Sequence, residues 1–466
     1  MMRKNLGAIT ALALVSGCTA FTPDGGMKGV NDLTRSRIQQ DASWQRSAQD
    51  TQTAHAATRE LLAKPLTADD AVKLALLNNH GLQATYADLG IAEADVVQAG
   101  RLRNPGFSFA RLRRADELEI ERTFMFDVLG LLTMPLRTKL EQRRFALTQG
   151  RVATEVLQVA ADTRRAWYSA VSAQESAAYA EQVKQAAEAS AELARRMAAA
   201  GNFSKLDHAR EQAFYAEAAA QLARTRQTAL AQRERLTRLM GLWGEDAQFR
   251  IPARLPDLPK TARTISDLES QAIKNRLDVQ SAMQQAEHLA ASMGLTRAIG
   301  FINVFEAGYR RNSLSGEPRQ SGYEIELRLP IFDWGGAKVA RAEYTYMQSV
   351  NHAADTAVRA RSEVREAYAT YRTAFDLATH YRDEIVPLRK RISEEVLLRY
   401  NGNLMSVFEL LADARQQIAA VSSAIDAQRD FWLAESALNL ALTGKSPGSM
   451  ALTAGGASMS GAVAEH

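Results

Sequence analysis

Tyr323-Glu324-Ile325-Glu326-Leu327-Arg328-Leu329-Pro330-Ile331-Phe332-Asp333-Trp334-Gly335-Gly336 is the stretch on which the fold turns, because its pattern changes half-way. Tyr323, Ile325, Leu327 and Leu329 alternate with Glu324, Glu326 and Arg328, so a strand here has one greasy and one charged face. Upstream, a partner run begins near Gly300 and passes Phe301, Val304, Phe305 and Tyr309. Asn312-Ser313-Leu314-Ser315-Gly316-Glu317-Pro318 reads as the loop between them, which sets the strands at about 300–312 and 322–330. Downstream, only Pro387 interrupts the chain from Ala337 to Arg399. Tyr371, Phe375, Ala378, Ile385, Leu388, Ile392 and Val396 fall there at three-four spacing, the stripe of one very long helix. At about 1.5 Å per residue it would run roughly 90 Å, too long for a compact globule.

The same grammar occurs once before. Asn78 with Leu82-Gln83-Ala84 pairs with Asn275 and Val279-Gln280-Ser281, and Met134-Pro135-Leu136 with Leu329-Pro330-Ile331. Arg164-Arg165-Ala166-Trp167 likewise pairs with Arg365-Glu366-Ala367-Tyr368. The offset drifts only from 194, at Gly106-Phe107 and Gly300-Phe301, to 203, at Leu239-Met240-Gly241 and Leu442-Thr443-Gly444. Such drift is expected of a duplicated unit with small insertions. In the first copy the strands fall at about 106–113 and 120–134, around the charged loop Ala115-Asp116-Glu117. Each copy then has two long helices joined at a Gly-Asn turn, Gly201-Asn202 and Gly402-Asn403. The repeats span 65–243 and 263–444, with a linker at 244–262. A stripe of this kind is by itself the core of a coiled coil, so function has to come from the assembly.

The N-terminus reads as an address. Arg3-Lys4 precede an apolar run from Leu6 to Val15, which ends in Val15-Ser16-Gly17-Cys18. A small-residue pair before a cysteine after such a run looks like a bacterial lipobox. Residues 1–17 are then a signal peptide, and Cys18, the only cysteine of the chain, is the lipidated first residue. Thr19, in place of aspartate, favours the outer membrane in lipoproteins of this kind. Residues 18–64, polar and weakly periodic, read as a strap or linker, and the Ala/Gly/Ser-rich tail 445–466 as disordered.

Composition closes off other classes. Lys+Arg 57 against Asp+Glu 53 is too balanced for a nucleic-acid binder. No HExxH, CxxC or GxGxxG is present, and the seven histidines have no ligand spacing, so no cofactor, metal site or catalytic residue is expected. Gly444-Lys445-Ser446 ends like a phosphate-binding loop, but position 439 is Asn and no strand leads into it. No stretch approaches the roughly 18 to 20 apolar residues of a membrane-spanning helix, in keeping with a mean hydropathy of -0.26.

A lipobox cysteine, a duplicated unit of two strands and a long hairpin, the strand-to-helix passage Leu329 to Gly336 and Arg399-Tyr400-Asn401-Gly402-Asn403 at a helix turn together resemble the TolC family of outer-membrane efflux channels. The resemblance covers Leu66 to Gly444. It implies a mainly helical chain with a small β part, working as a homotrimer. Four strands per chain would enter one twelve-stranded outer-membrane β-barrel, and the long antiparallel hairpins would form a periplasmic α-barrel. Tyr323, Ile325, Leu327 and Leu329 would face lipid. Closure has an independent reason, since an open sheet in lipid leaves unsatisfied edges.

The same resemblance assigns the helix tips, Gly201-Asn202-Phe203 and Gly402-Asn403-Leu404, to a periplasmic adaptor that joins the channel to an inner-membrane pump. Asp207, Glu409 and Asp413 are the matches to carboxylates that narrow the periplasmic entrance. A left-handed backbone at the tip is the local reason for a glycine there. The chain departs from the family pattern where the first copy lacks the Gly-Gly helix entry, and at the second tip, where Ser406 follows its glycine by four residues against three for Ser204. The runner-up is a lipid-anchored periplasmic helical scaffold without a channel, and a cell-wall hydrolase is disfavoured for want of a nucleophile or carboxylate pair.

Overall fold

The computed structural model describes residues 20–299, 304–328, 331–402 and 404–448. Cys18, Leu329, Asn403, the Gly300 start of the third expected strand and the tail beyond 448 lie outside the described residues. In chain order the elements are α1 (Met27–Ile38), α2 (Ala48–Leu62), α3 (Ala68–Asn78), α4 (His80–Ala99), β1 (Gly106–Arg114), β2 (Glu117–Asp127), α5 (Val128–Ala199) and α6 (Lys205–Met240). Then come α7 (Leu268–Asn275), α8 (Leu277–Ile299), β3 (Phe305–Leu314), β4 (Gln320–Leu327), α9 (Gly336–His380), α10 (Val386–Asn401) and α11 (Val407–Thr443). From α3 to α6 and again from α7 to α11 the order is two helices, two strands and a long hairpin. The chain is mainly helical with a small β part. Among the described residues no helix is long and apolar enough to cross a membrane.

The strand boundaries correct the sequence reading. β2 opens at Glu117 rather than 120, after a tight turn with Ala115 at φ 52°, and ends at Asp127 rather than 134. Val128-Leu129-Gly130-Leu131-Leu132 does not alternate, and Asp127 Oδ1 accepts the Gly130 N–H at 2.6 Å, a helix cap where strand was expected. α5 therefore runs through Met134 and Pro135. In the second half β3 continues to Leu314, two residues beyond the expected strand end at 312, and β4 begins at Gln320.

Contacts divide the chain into two compact units, each drawn from both halves. One holds residues 20–33, 84–153 and 277–358. Its centre is the antiparallel sheet in the order β1-β2-β3-β4. The start of the expected strap is packed here: Val30 is fully buried, and Gln149 Nε2 donates to the Gly26 carbonyl at 3.0 Å. α2, in the other unit, opens with a Ser47/Asp50 capping box, so residues 20–64 are largely structured helix rather than free linker.

The second unit holds residues 34–83, 154–276 and 359–448, with two hydrophobic clusters that mirror each other. Trp167 and Tyr168 centre one, together with Leu66, Leu236 and Met240. Tyr371, Phe375 and Phe431 centre the other, with Tyr368 at its margin. Trp432 lies against both and stacks on Tyr168 at 5.2 Å. One ion pair is also duplicated, Arg164 with Asp69 and Arg365 with Glu269, each at 2.6 Å. The expected single helix from Ala337 to Arg399 is interrupted: Pro387 has no N–H to offer the preceding turn, and Tyr381–Ile385 widens into a π turn in which the Val386 N–H reaches the Tyr381 carbonyl. Burial changes at that point. Tyr371, Phe375 and Ala378 are buried, whereas Leu388, Leu397 and Leu398 beyond the turn are exposed.

Candidate functional site

Strand register sorts the sheet into two faces of opposite character. One row crosses all four strands as Phe107, Phe124, Tyr309 and Tyr323, and the next runs Phe126, Ala307, Ile325. Phe305 and Leu327 form a third. The Phe107 and Phe124 rings lie 4.7 Å apart. Most of these side chains are exposed, Tyr323 to 87% and Ile325 to 61%. Nearer the hairpin loops the same face turns basic through Arg111, Arg113, Arg122 and Arg311, and among the described strand residues it holds no carboxylate. The alternate positions carry Glu117, Glu119, Glu121, Asp127, Glu306, Glu324 and Glu326. There Arg310 pairs with Glu121 at 2.9 Å and Asn312 Nδ2 donates to Glu119 at 2.7 Å.

At the first helix tip α5 closes with the two bonds of a Schellman motif: Asn202 N–H to the Met197 carbonyl at 2.9 Å and Gly201 N–H to Ala198 at 3.1 Å. Gly201 sits between them at φ 77°, the left-handed backbone expected. At the second tip that expectation fails, since Gly402 has φ -83°. The matching long bond there runs from Leu404 N–H to the Arg399 carbonyl at 2.9 Å. Both ends of that bond stand 202 residues after those at the first tip, whereas Gly402 stands 201 after Gly201, so the Gly-Asn match between the tips is one residue out of register. Phe203 and Phe408 stack at 5.5 Å, so the two tips touch. Apolar side chains around them stay in solvent, among them Leu206 at 61% and Leu404 at 80% exposed.

No family model and no curated protein matches this sequence. Solved structures do match. A membrane protein from Pseudomonas aeruginosa superposes with a TM-score of 0.69 at 21% identity, over 83% of this chain and 93% of that one. The outer membrane protein VceC of Vibrio cholerae gives 0.67 at 16%, over 81% and 96%. The CmeC outer membrane channel of Campylobacter jejuni gives 0.65 at 14%, over 92% and 88%. This chain has the fold that these structures share. The likeness to the TolC family read from the sequence is thus one of architecture, hairpins and four strands together.

Within this channel fold the three candidate gate carboxylates occupy different surroundings. Asp207 and Glu409 are both third residues of their helices. The Asp207 N–H donates to Ser204 Oγ at 3.1 Å, and Ser406 and Glu409 form a reciprocal capping box. Two donors, the Ser406 N–H and its hydroxyl, hold the Glu409 carboxyl below its ordinary pKa of 4.5. Asp413, one turn further, is 8% exposed, and its Oδ2 has no hydrogen-bond partner among the described residues. Among the described residues no cluster able to hold a metal ion is formed. A fourth carboxylate escaped the sequence reading. Glu211 is 3% exposed, takes a hydrogen bond from Ser190 Oγ at 2.8 Å and pairs with Arg415 at 3.5 Å. It stands to Asp207 as Asp413 stands to Glu409, four residues on in each helix, and that spacing was the signal that could have found it.

Proposed function

We propose that this chain is the outer-membrane duct of a tripartite export system, passing small molecules or metal ions to the exterior. Three copies set their sheets edge to edge into one twelve-stranded barrel, and the hairpins form a conduit on the periplasmic side. The observation that carries this reading is the division of the sheet into an exposed aromatic, acid-free face and a carboxylate-rich face, which suits lipid outside and water inside. Strands of 8 to 11 residues are close to the roughly 9–11 that cross a bilayer. β1 and β4 are the edges, and closure with neighbouring copies satisfies backbone groups that hydrocarbon would leave unpaired. Tyr323, Ile325 and Leu327 lie on the lipid side.

The exposed apolar groups around Gly201-Asn202-Phe203 and Gly402-Asn403-Leu404 offer an adaptor its docking surface, and the inner-membrane pump behind the adaptor supplies the energy. Asp207, Glu409 and Asp413 narrow the periplasmic entrance, where like charges gathered on a three-fold axis attract cations. Residues 1–17 direct export and Cys18 carries the lipid; labelling with a radioactive fatty acid, absent from Cys18→Ser, checks that anchor.

The barrel is tested on its outward face. Ile325→Arg should destabilise the assembly by about 2–4 kcal/mol per chain near the bilayer midplane. Loss of heat-resistant trimer after mild detergent extraction reports it, and Glu326→Gln should leave the trimer intact. Equal tolerance at both positions removes the membrane assignment.

A further inference from the structure

Toward the hairpin loops the apolar face of the sheet acquires arginines, set beside Phe109, Ile120 and Leu118. On three neighbouring strands an aromatic residue is followed, two positions nearer the hairpin loops, by an arginine: Phe109 by Arg111, Phe124 by Arg122, Tyr309 by Arg311. Two positions along a strand keep the same face and advance about 6.6 Å. Arg122 and Arg311 are directly opposite in the β2–β3 register, and on β1 Arg111 and Arg113 lie one and two rows nearer the loop, opposite Ile120 and Leu118. Like charges placed opposite each other weaken a sheet unless something of opposite sign lies between them. On the other face Arg310 has Glu121 for that purpose. Among the described residues none of Arg111, Arg113, Arg122 and Arg311 has a carboxylate partner, and the Arg122 guanidinium lies over the Phe109 ring at 5.9 Å, on the line between the two bands.

We propose that this arginine band binds the phosphate groups of membrane lipid headgroups, and the inference rests on the reading of the sheet as the membrane-embedded part. A guanidinium presents a planar fork that fits two phosphate oxygens at once. The aromatic row beside it is what acyl chains and the interfacial zone require, so a lipid satisfies both bands while a free anion satisfies one. The chemistry selected is a phosphorylated lipid in the leaflet at the hairpin-loop end of the strands. The band sets how deep the sheet sits, because the aromatic row cannot leave hydrocarbon without pulling the arginines off their phosphates.

The test compares two vesicles. Full-length protein is reconstituted in phosphatidylcholine containing either bisphosphorylated lipid A or its dephosphorylated form, re-extracted in mild detergent, and the lipid retained per chain is measured by mass spectrometry. Wild type should retain the phosphorylated lipid preferentially. Each Arg→Gln change at positions 111, 113, 122 and 311 should reduce retention roughly fivefold, and Arg→Lys less. Added inorganic phosphate should not displace the lipid. Equal retention of both lipids by wild type overturns the proposal without any variant. So does a quadruple Arg→Gln protein that retains phosphorylated lipid as wild type does, and displacement by inorganic phosphate would assign the band to a soluble anion instead. Protein that enters neither vesicle overturns the membrane reading itself, a different result from protein that enters both and distinguishes no headgroup.

Discussion

The two halves of the chain place a glycine at the same two junctions and use it differently. In the first half both are left-handed, Gly201 at φ 77° and Gly241 at φ 67°. In the second, Gly402 at φ -83° and Gly444 at φ -109° both have negative φ. Gly241 is also held closely, since a Cβ there would run into the backbone carbonyl of Asn78. At Gly444 the nearest obstacle is the movable side chain of Leu440. A recurring motif thus preserves the place of a turn without preserving its backbone. In the first half glycine is required by φ, whereas in the second Gly402 has a negative φ, the long closing bond is shifted by one residue, and a reciprocal Ser406/Glu409 cap follows.

The sharpest way to break that comparison is to give each glycine a side chain. Gly241→Ala should cost about 3 kcal/mol, from roughly 1–2 of left-handed strain and a comparable overpacking term against Asn78. Gly444→Ala should cost less, because φ there is negative and the nearest atom is the movable end of the Leu440 side chain. At the tips the contrast is smaller. Gly201→Leu should cost about 1–2 kcal/mol. At Gly402 a Cβ meets nothing nearer than the Leu398 carbonyl at 3.5 Å, so Gly402→Leu should be nearly neutral for folding. Thermal unfolding of the purified protein reads all four, and equal losses within either pair would erase the distinction. Since Gly402→Leu spares the fold, any fall in export it causes in cells reports on docking at the tip.

Much of this architecture was legible because it rests on local periodicity. The alternation Tyr323 to Leu327 is visible in one strand, and the hairpins announce themselves by their length and scarcity of proline. What was not legible depends on register or dihedrals. The aromatic-to-arginine boundary needs Arg122 set against Arg311, a pairing 189 residues apart in the chain that no single strand displays. The end of β2 was overrun because Val128 to Leu132 is apolar in every position but Gly130, and an apolar run suits strand and helix alike. Gly402 was read by analogy with Gly201, and a residue name carries no φ. The caps were the missed opportunity: Ser204 with Asp207 and Ser406 with Glu409 have the spacing of a helix start, and their common offset of 202 shows the slip between the tips.

The smallest expected effect separates the two caps. Ser204→Ala and Ser406→Ala should each cost about 1 kcal/mol. The second cap should also respond to pH. Glu409 accepts from both the Ser406 N–H and its hydroxyl at 2.9 Å, which stabilises the carboxylate and lowers its pKa below 4.5. A group depressed in the folded chain contributes stability that is full above its unfolded value and is lost as the pH falls through the folded one. Acidification below about pH 4.5 should therefore loosen the first turn of α11, seen as faster hydrogen exchange of the Glu409 and Leu410 amides after correction for the intrinsic rate. Glu409→Gln should be weaker at neutral pH and nearly flat across that range. Asp413→Asn leaves the cap untouched, so under the gate reading it should change single-channel conductance and divalent block while the exchange of those amides stays as in wild type. If Glu409→Gln keeps the acid-induced loosening, the carboxylate is not what holds this turn, and the gate reading at Glu409 would then have no competing structural role to be separated from.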